Sequence, residues 1–274
     1  MLTAVDIINT LQQGRIIIDT VGEVTIYPES IIVGNNSVAS QCRIRGIEGD
    51  ILLKCLFSPA VTPNQSRQSV CVTYIDIDTL SGDTFRTCCL LRRWIDGITL
   101  DDAVLSGMYN YKSLSTSFDR LAYEILSAHE AHGDISPDNI LVCNDKMQLI
   151  DNDATWHPNH THNHVSEYGS PGFIHSHRKI KLPAKDIDNY PIAIISTLLA
   201  AISHYATESA ETIPAILLKD IAAPSHRSIE LAKQKLLDAD DIAHYNIACS
   251  IDEMFCSTDK LKRMFKEAIK SQEE

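Results

Sequence analysis

The stretch "HGDISPDNILV" at residues 132–142, followed by "LIDND" at 149–153, brings Asp134, Asn139 and Asp151 into one short span. Two carboxylates and a neutral amide are hard oxygen donors. They suit Mg²⁺, which takes one or two protein oxygens and completes its shell with phosphates and water. Asp134 follows "HG" after a helical pattern, which places it on a loop where its carboxylate can meet a substrate hydroxyl as acceptor. Asn139 offers an amide oxygen from the same loop. Asp151 ends "MQLID", the second strand of a tight hairpin read in "NILVCNDKMQLID". Such a set fits phosphoryl transfer, which needs positioning and charge neutralisation more than covalent help from the protein.

The elements that must position these groups change character along the chain. A short amphipathic helix is read in "MLTAVDIINTLQQGR". The strand-like stretches "RIIIDTVGEVTIYP", "SIIVG", "SQCRIRGIEGDILLKCLF", "SVCVTYIDIDTL" and "DTFRTCCLLRRWI" follow, rich in β-branched residues. "GIEGD" and "TLSGD" read as hairpin connections, which predicts one antiparallel sheet built largely from local pairings. From "TLDDAV" onward the pattern is helical, with Thr99 as a cap and acids in the first turn. Phe118, Leu121, Ala122, Ile125, Leu126 and His129 recur at helical spacing. "DIDNYPIAIISTLLAAISHYA" reads as a buried apolar helix, with Pro191 in its first turns where a missing amide hydrogen matters least. The expected division is a β-rich lobe with a leading helix over 1–97 and a helical lobe over 98–274.

Composition narrows the function class. With 274 residues, 44% apolar and 22% charged, the chain can bury a full core. A net charge of -12 argues against nucleic-acid and anionic-membrane partners, both of which need a basic footprint. The eight cysteines form no CxxC pair and sit mostly among Ile, Leu and Val, as expected of reduced core thiols in a cytoplasmic protein. No signal peptide is read at the amino terminus, and no apolar run is read as long enough to cross a bilayer. The span 157–177 holds His157, His160, His162, His164, His175 and His177. It reads as a polar loop, a Zn²⁺ site or a pH-sensitive segment.

The central segment resembles the protein-kinase-like superfamily. His132, Asp134 and Asn139 fit the pattern H-x-D-x-x-x-x-N, and Asp151 stands where those proteins carry D-F-G. The resemblance extends through "ILLKCLF", similar to the strand that bears a phosphate-binding lysine, here Lys54, and through "YGSPGF", similar to the end of an activation segment. It implies an α+β bilobal fold with a small antiparallel β-rich N-lobe and a larger helical C-lobe. It also implies ATP and Mg²⁺ as cofactors, Asp134 as the catalytic residue, and Asn139 and Asp151 as metal ligands. Lys54 and Gly34 would contact the nucleotide, and a protein or small-molecule hydroxyl would be the acceptor. Asp188, with Asp186 as second choice, corresponds to the aspartate that braces the catalytic loop, or either caps the helix.

The sequence also departs from the family pattern. "VGNNSVASQCR" keeps only Gly34 of a glycine-rich loop, and no glutamate occurs between Glu48 and Glu124 to pair with Lys54. The segment "SPAVTPNQSRQS" has no helical pattern, so the helix that follows the lysine strand reads as missing. "HGD" replaces H-R-D, and Ser136 stands where serine/threonine kinases place a lysine. "HGD…PDNIL" is similar to the aminoglycoside and choline kinases, whereas "GSPGF" points toward a protein Ser/Thr kinase. The departures leave open an inactive pseudokinase that binds nucleotide or a protein partner.

Overall fold

The computed structural model describes residues 2–34, 36–57, 71–144, 146–152, 155, 169–175, 184–253 and 256–273. The chain divides into two compact units, Met1–Asp96 and Gly97–Glu274. The first is dominated by an antiparallel sheet and the second by helices, so the architecture is α+β.

The β-rich unit opens on α1 (Ala4–Leu11). Thr3 and Asp6 form a reciprocal capping box: Thr3 N donates to Asp6 Oδ2 at 2.9 Å, and Asp6 N donates to Thr3 Oγ1 at 3.3 Å. This is the role of the one charged residue in the helix's apolar pattern. The free oxygen of Asp6 accepts the Leu80 amide at 3.1 Å, which ties the helix to a hairpin turn.

The strands are β1 (Arg15–Ile18), β2 (Gly22–Ile26), β3 (Ile32–Val33), β4 (Ser37–Ile44), β5 (Ile51–Leu56), β6 (Cys71–Asp78) and β7 (Thr84–Arg93). Their order is β1-β2-β4-β5-β7-β6, with β3 on β4. The sheet curls until its two edges meet. Asp19 N donates to Tyr74 O at 3.2 Å, and the Thr20 and Thr73 hydroxyls lie 2.9 Å apart. Curling in this way leaves fewer open backbone groups at the edges. One face buries Ile7, Leu11, Ile18, Val24, Val38, Leu53, Cys55 and Ile77, and the other buries Leu56, Cys88 and Leu90.

In the helical unit, β8 (Ile98–Thr99) joins β9 (Ile140–Cys143) and β10 (Lys146–Leu149) in a small sheet. The helices are α2 (Leu100–Ser106), α3 (Tyr111–Ser127), α4 (Asn189–Glu208), α5 (Ala215–Asp220), α6 (His226–Asp238), α7 (Ile242–Ser250) and α8 (Thr258–Glu273). Thr99 precedes α2 at the N-cap, but its side chain makes no capping bond. Asn110 caps α3 by accepting the Ser113 amide at 2.9 Å. The buried face of α3 carries Leu114, Phe118, Leu121, Ala122 and Leu126, the i, i+4, i+7, i+8 stripe of an amphipathic helix. His129 falls outside that stripe: α3 ends at Ser127 and His129 is exposed.

The buried apolar helix expected in "DIDNYPIAIISTLLAAISHYA" is α4, whereas the expectation that no apolar run is long enough to cross a bilayer does not hold for it. At 20 residues it is long and apolar enough to cross a membrane, but 72% of its most apolar window is buried inside the protein. It packs against α3, α6 and α7, which makes it the core helix of this unit.

Candidate active site

The loop between α3 and β9 is built around apolar anchors. Ala131, Ile135, Pro137 and Ile140 are buried, while Asp134 and Asn139 remain partly accessible. The buried apolar groups pin the backbone that carries Asp134 and Asn139. Gly133 adopts φ +86°, the left-handed region where a side chain is strained. An arginine at that position would meet this strain, which gives a backbone reason for "HGD".

Asp188 braces the loop. Its Oδ2 accepts the His132 amide at 2.6 Å and its Oδ1 accepts the Gly133 amide at 2.9 Å. The residue stands at the N-cap of α4 without bonding the helix through its side chain, so of the two roles left open it performs the bracing. Asp186 instead accepts from Thr258, through the amide at 3.1 Å and the hydroxyl at 2.6 Å.

His132 joins the loop to the hairpin. Its Nδ1 accepts the Asp134 amide at 3.3 Å, and its Nε2 lies 2.9 Å from Ile150 O, where only donation is possible because a carbonyl accepts. Ile150 N in turn donates to Asn139 O at 2.9 Å. The backbone immediately before Asp151 is therefore held to both His132 and Asn139. Cys143 pairs with Lys146 across the β9–β10 connection, and Asn144 stands at φ +56°.

Asp151 follows at φ +58°. Left-handed backbone at a residue other than glycine is uncommon, although Asp tolerates it, and such residues concentrate where a side chain must be aimed. The Asn139 amide nitrogen donates to Asp134 O at 2.9 Å and to Asp134 Oδ2 at 3.3 Å. With its nitrogen engaged there, Asn139 has its amide oxygen left to act as a ligand. The oxygen donors of Asn139 and Asp151 fit Mg²⁺ in chemical type.

Sequence reasoning missed one participant. The Ser170 hydroxyl donates to Asp134 Oδ1 at 2.9 Å and lies 3.2 Å from the Ser136 hydroxyl. Ser136 is itself buried and occupies the position where the family pattern has a lysine. The signal for Ser170 was present in "SPGF". Proline second and glycine third, with Gly172 at φ +86° and Phe173 N bonded to Ser170 O at 3.1 Å, form a type II turn.

In the β-rich unit, Lys54 is half-buried on β5, paired in register with Ala39 and Leu90, on the sheet face that carries Leu56. Gly34 lies between β3 and β4. A Cβ there would meet only Ser37 O and Oγ at 3.6 Å, ordinary contact distance, so local packing does not demand glycine. The segment after Lys54, where the missing helix would fall, lies outside the described residues, as do Asp153 and all of the clustered histidines except His175. His175 packs edge-on against Tyr190, with ring centroids 5.0 Å apart.

No family model and no curated protein matches the sequence. Among solved structures, the chain is similar to the ROP18 kinase domain in complex with AMP-PNP and sucrose. The match has a TM-score of 0.51 at 12% identity and covers 98% of this chain and 91% of that one. The fold is therefore protein-kinase-like, with the antiparallel sheet and the helices divided as in that architecture.

Proposed function

We propose that the protein is a Mg²⁺–ATP-dependent phosphotransferase acting on serine or threonine hydroxyls of proteins. The observation that carries this reading is the Asp134–Asn139 pair. It sits on a loop braced by Asp188 and bonded through His132 and Asn139 to the backbone that presents Asp151. A carboxylate so placed accepts the proton of the attacking hydroxyl, and the oxygens of Asn139 and Asp151 would hold the metal that neutralises the phosphates. The structural neighbour is a kinase domain in complex with AMP-PNP, which supports a nucleotide as the ligand. Lys54 and Gly34 are proposed as further nucleotide contacts on sequence resemblance alone. A small-molecule hydroxyl is the second choice of acceptor.

A second reading, a module that binds nucleotide and transfers nothing, is favoured by the accommodating space at Gly34 and by the absence of a glutamate between Glu48 and Glu124. Thermal shift and transfer assays separate the two. The phosphotransferase is stabilised by ATP only with Mg²⁺ present, since whatever binds the folded state raises its stability. Asp134→Ala keeps that shift and loses phosphate transfer by ~10²-fold or more. Transfer that survives Asp134→Ala removes Asp134 as the base, and a metal-dependent shift with no transfer to any hydroxyl selects the binding module.

A further inference from the structure

We infer that the groove between α3 and α8 binds an extended acidic segment of a partner protein, one with carboxylates at alternate positions. The groove holds about 310 Å³ and is lined by Tyr123 of α3 and by Asp259, Lys262, Arg263 and Lys266 of α8. α8 carries five cations against three carboxylates in a chain whose net charge is -12. The two lysines of α6 are neutralised, Lys233 by Glu230 and Asp252 and Lys235 by Glu208. Lys260, at the start of α8, pairs with Glu253. Among the described residues Lys262, Arg263 and Lys266 have no carboxylate in ion-pair contact, although Asp259 shares their groove.

Like charges this close on a helix repel, and residues four apart are direct neighbours. None of the three lies in the last turn of α8, where the helix dipole favours a cation. The ammonium of Lys262 stands 5.3 Å from the centroid of the Tyr123 ring, a contact that holds it in the groove without cancelling its charge. The Tyr123 hydroxyl adds a donor to the same groove. Arg263 supplies a planar fork of donors that matches a carboxylate.

The spacing of the cations selects the ligand. Lys262 and Lys266 are separated by about 6 Å of helix rise. Side chains on one face of an extended strand recur about every 6.7 Å. Two carboxylates at alternate positions of a segment lying along α8 therefore meet one lysine each, with Arg263 between them. Asp259 lies nearer the N-terminus of α8, so it repels a third acid and faces a neutral or basic residue of the segment. An anionic membrane or a nucleic acid presents a broad negative surface, which the rest of a chain of charge -12 repels. A short segment confined to the groove stays beside its cations, and charges farther off than about 8 Å are largely screened at physiological salt.

The test uses the full chain without nucleotide and a fluorescein-labelled synthetic peptide of alternating Asp and Gly, followed by anisotropy. The expected result is saturable binding that weakens with added salt. Lys266→Glu and Arg263→Glu each weaken it by ~10-fold or more, as for the loss of one charge-assisted hydrogen bond. Tyr123→Leu weakens it by ~2–5-fold, because Lys262 is no longer held. Lys112→Glu, an equal change of net charge in the first turn of α3, leaves binding unchanged. Lys266→Glu sets an unlike charge four residues from Lys262, so this variant keeps its urea midpoint and its loss is not one of folding. Equal affinity for a peptide of Asn and Gly, or for one with the same acids side by side, overturns the inference. An equal loss in Lys112→Glu, or no binding even at millimolar peptide, also overturns it. Self-association that Arg263→Glu abolishes assigns the groove to a second copy of the chain, and binding to phosphatidylserine vesicles that Arg263→Glu abolishes assigns it to a membrane; either result overturns the acidic segment. Every readout is independent of phosphate transfer, so these outcomes leave the phosphotransferase reading where its own assays put it.

Discussion

Two carboxylates buried in the helical unit, Asp188 at the head of α4 and Asp119 in the middle of α3, are 3% and 0% exposed, yet their partners differ in kind. Asp188 accepts two consecutive backbone amides of a loop. Asp119 accepts side chains from three helices: Ser196 Oγ of α4 at 2.8 Å, His244 Nε2 of α7 at 2.9 Å and Gln272 Nε2 of α8 at 2.8 Å. His244 Nδ1 is bonded in turn to Asp241, which also takes His204 Nε2 at 2.8 Å. A carboxylate that binds backbone fixes the course of a loop and so aims its side chains. A carboxylate that binds side chains joins helices, and because one partner is an imidazole the junction titrates. The first arrangement serves the site, whereas the second serves the frame that carries it.

The largest effect on stability is expected at Asp119. Its replacement by alanine leaves a charged imidazole, a hydroxyl and an amide without their acceptor in the interior, which costs about 3–5 kcal/mol. Asp188→Ala strands two backbone amides and costs less, about 2–4 kcal/mol at ~1–3 each with partial rescue by water. Activity should rank the two the other way. Asp188→Ala releases the loop and lowers transfer by ~10²-fold, whereas Asp119→Ala leaves transfer per folded molecule near the wild-type value. Urea unfolding and a transfer assay on the same preparations read both scales. Equal losses of activity in the two variants would erase the distinction between aiming and joining.

The pH dependence of stability sharpens the same contrast. Burial is the largest single influence on His244 and pushes its pKa down, but the hydrogen bonds to Asp119 and Asp241 together outweigh it and raise the pKa from 6.5 to about 10. Burial likewise acts to raise Asp241, and the bonds from His204 and His244 overcome it and hold this carboxyl below its ordinary 3.8. A group with a raised folded pKa contributes fully below its unfolded value, so the His244 contribution is complete below pH 6.5 and is lost as pH climbs through about 10. Asp241 contributes above pH 3.8, and its share is lost as pH falls below that value. The urea midpoint of the wild type should therefore decline on the alkaline side by more than that of His244→Gln. Asp188→Ala leaves the bonds of His244 to Asp119 and Asp241 in place, so it should keep the wild-type decline on the alkaline side. Parallel curves for wild type and His244→Gln would remove the imidazole from the junction.

The α+β fold class was legible because alternation, turn dipeptides and helical stripes are local signals. Within the loop, the spacing of Asp134, Asn139 and Asp151 was also local and could be read directly. The brace was half-legible: "DIDNYP" offered two acids, and only the bonds to His132 and Gly133 distinguish Asp188 from Asp186. Ser170 was hidden because it reaches Asp134 across 36 positions of chain, and a turn signature states a shape without stating what the shape faces. Asp119 was hidden for a related reason. It lies beside Phe118 and Ala122 on the apolar stripe, and its partners Ser196, His244 and Gln272 come from three later helices. A polar group that buries itself through distant partners leaves no periodicity to read. The curl that joins β1 to β6 escaped for the same reason, since Asp19 and Tyr74 belong to separate hairpins.

The smallest expected effect lies at the rim of the junction. His204 bonds Asp241 as closely as His244 does, at 2.8 Å, but its side chain is 32% exposed where that of His244 is 2%. Distance alone would rank the two alike, and solvent separates them. In His204→Gln, water replaces the lost donor, so the variant should lose about 1 kcal/mol or less, near the net value of one exchangeable hydrogen bond. Urea unfolding of His204→Gln, His244→Gln and the double variant gives the coupling directly. Near-additive losses place His204 outside the cooperative unit. A His204→Gln loss as large as that of Asp119→Ala would instead show that the junction extends to the surface, and the contrast with the loop brace at Asp188 would then be one of exposure as well as of partner.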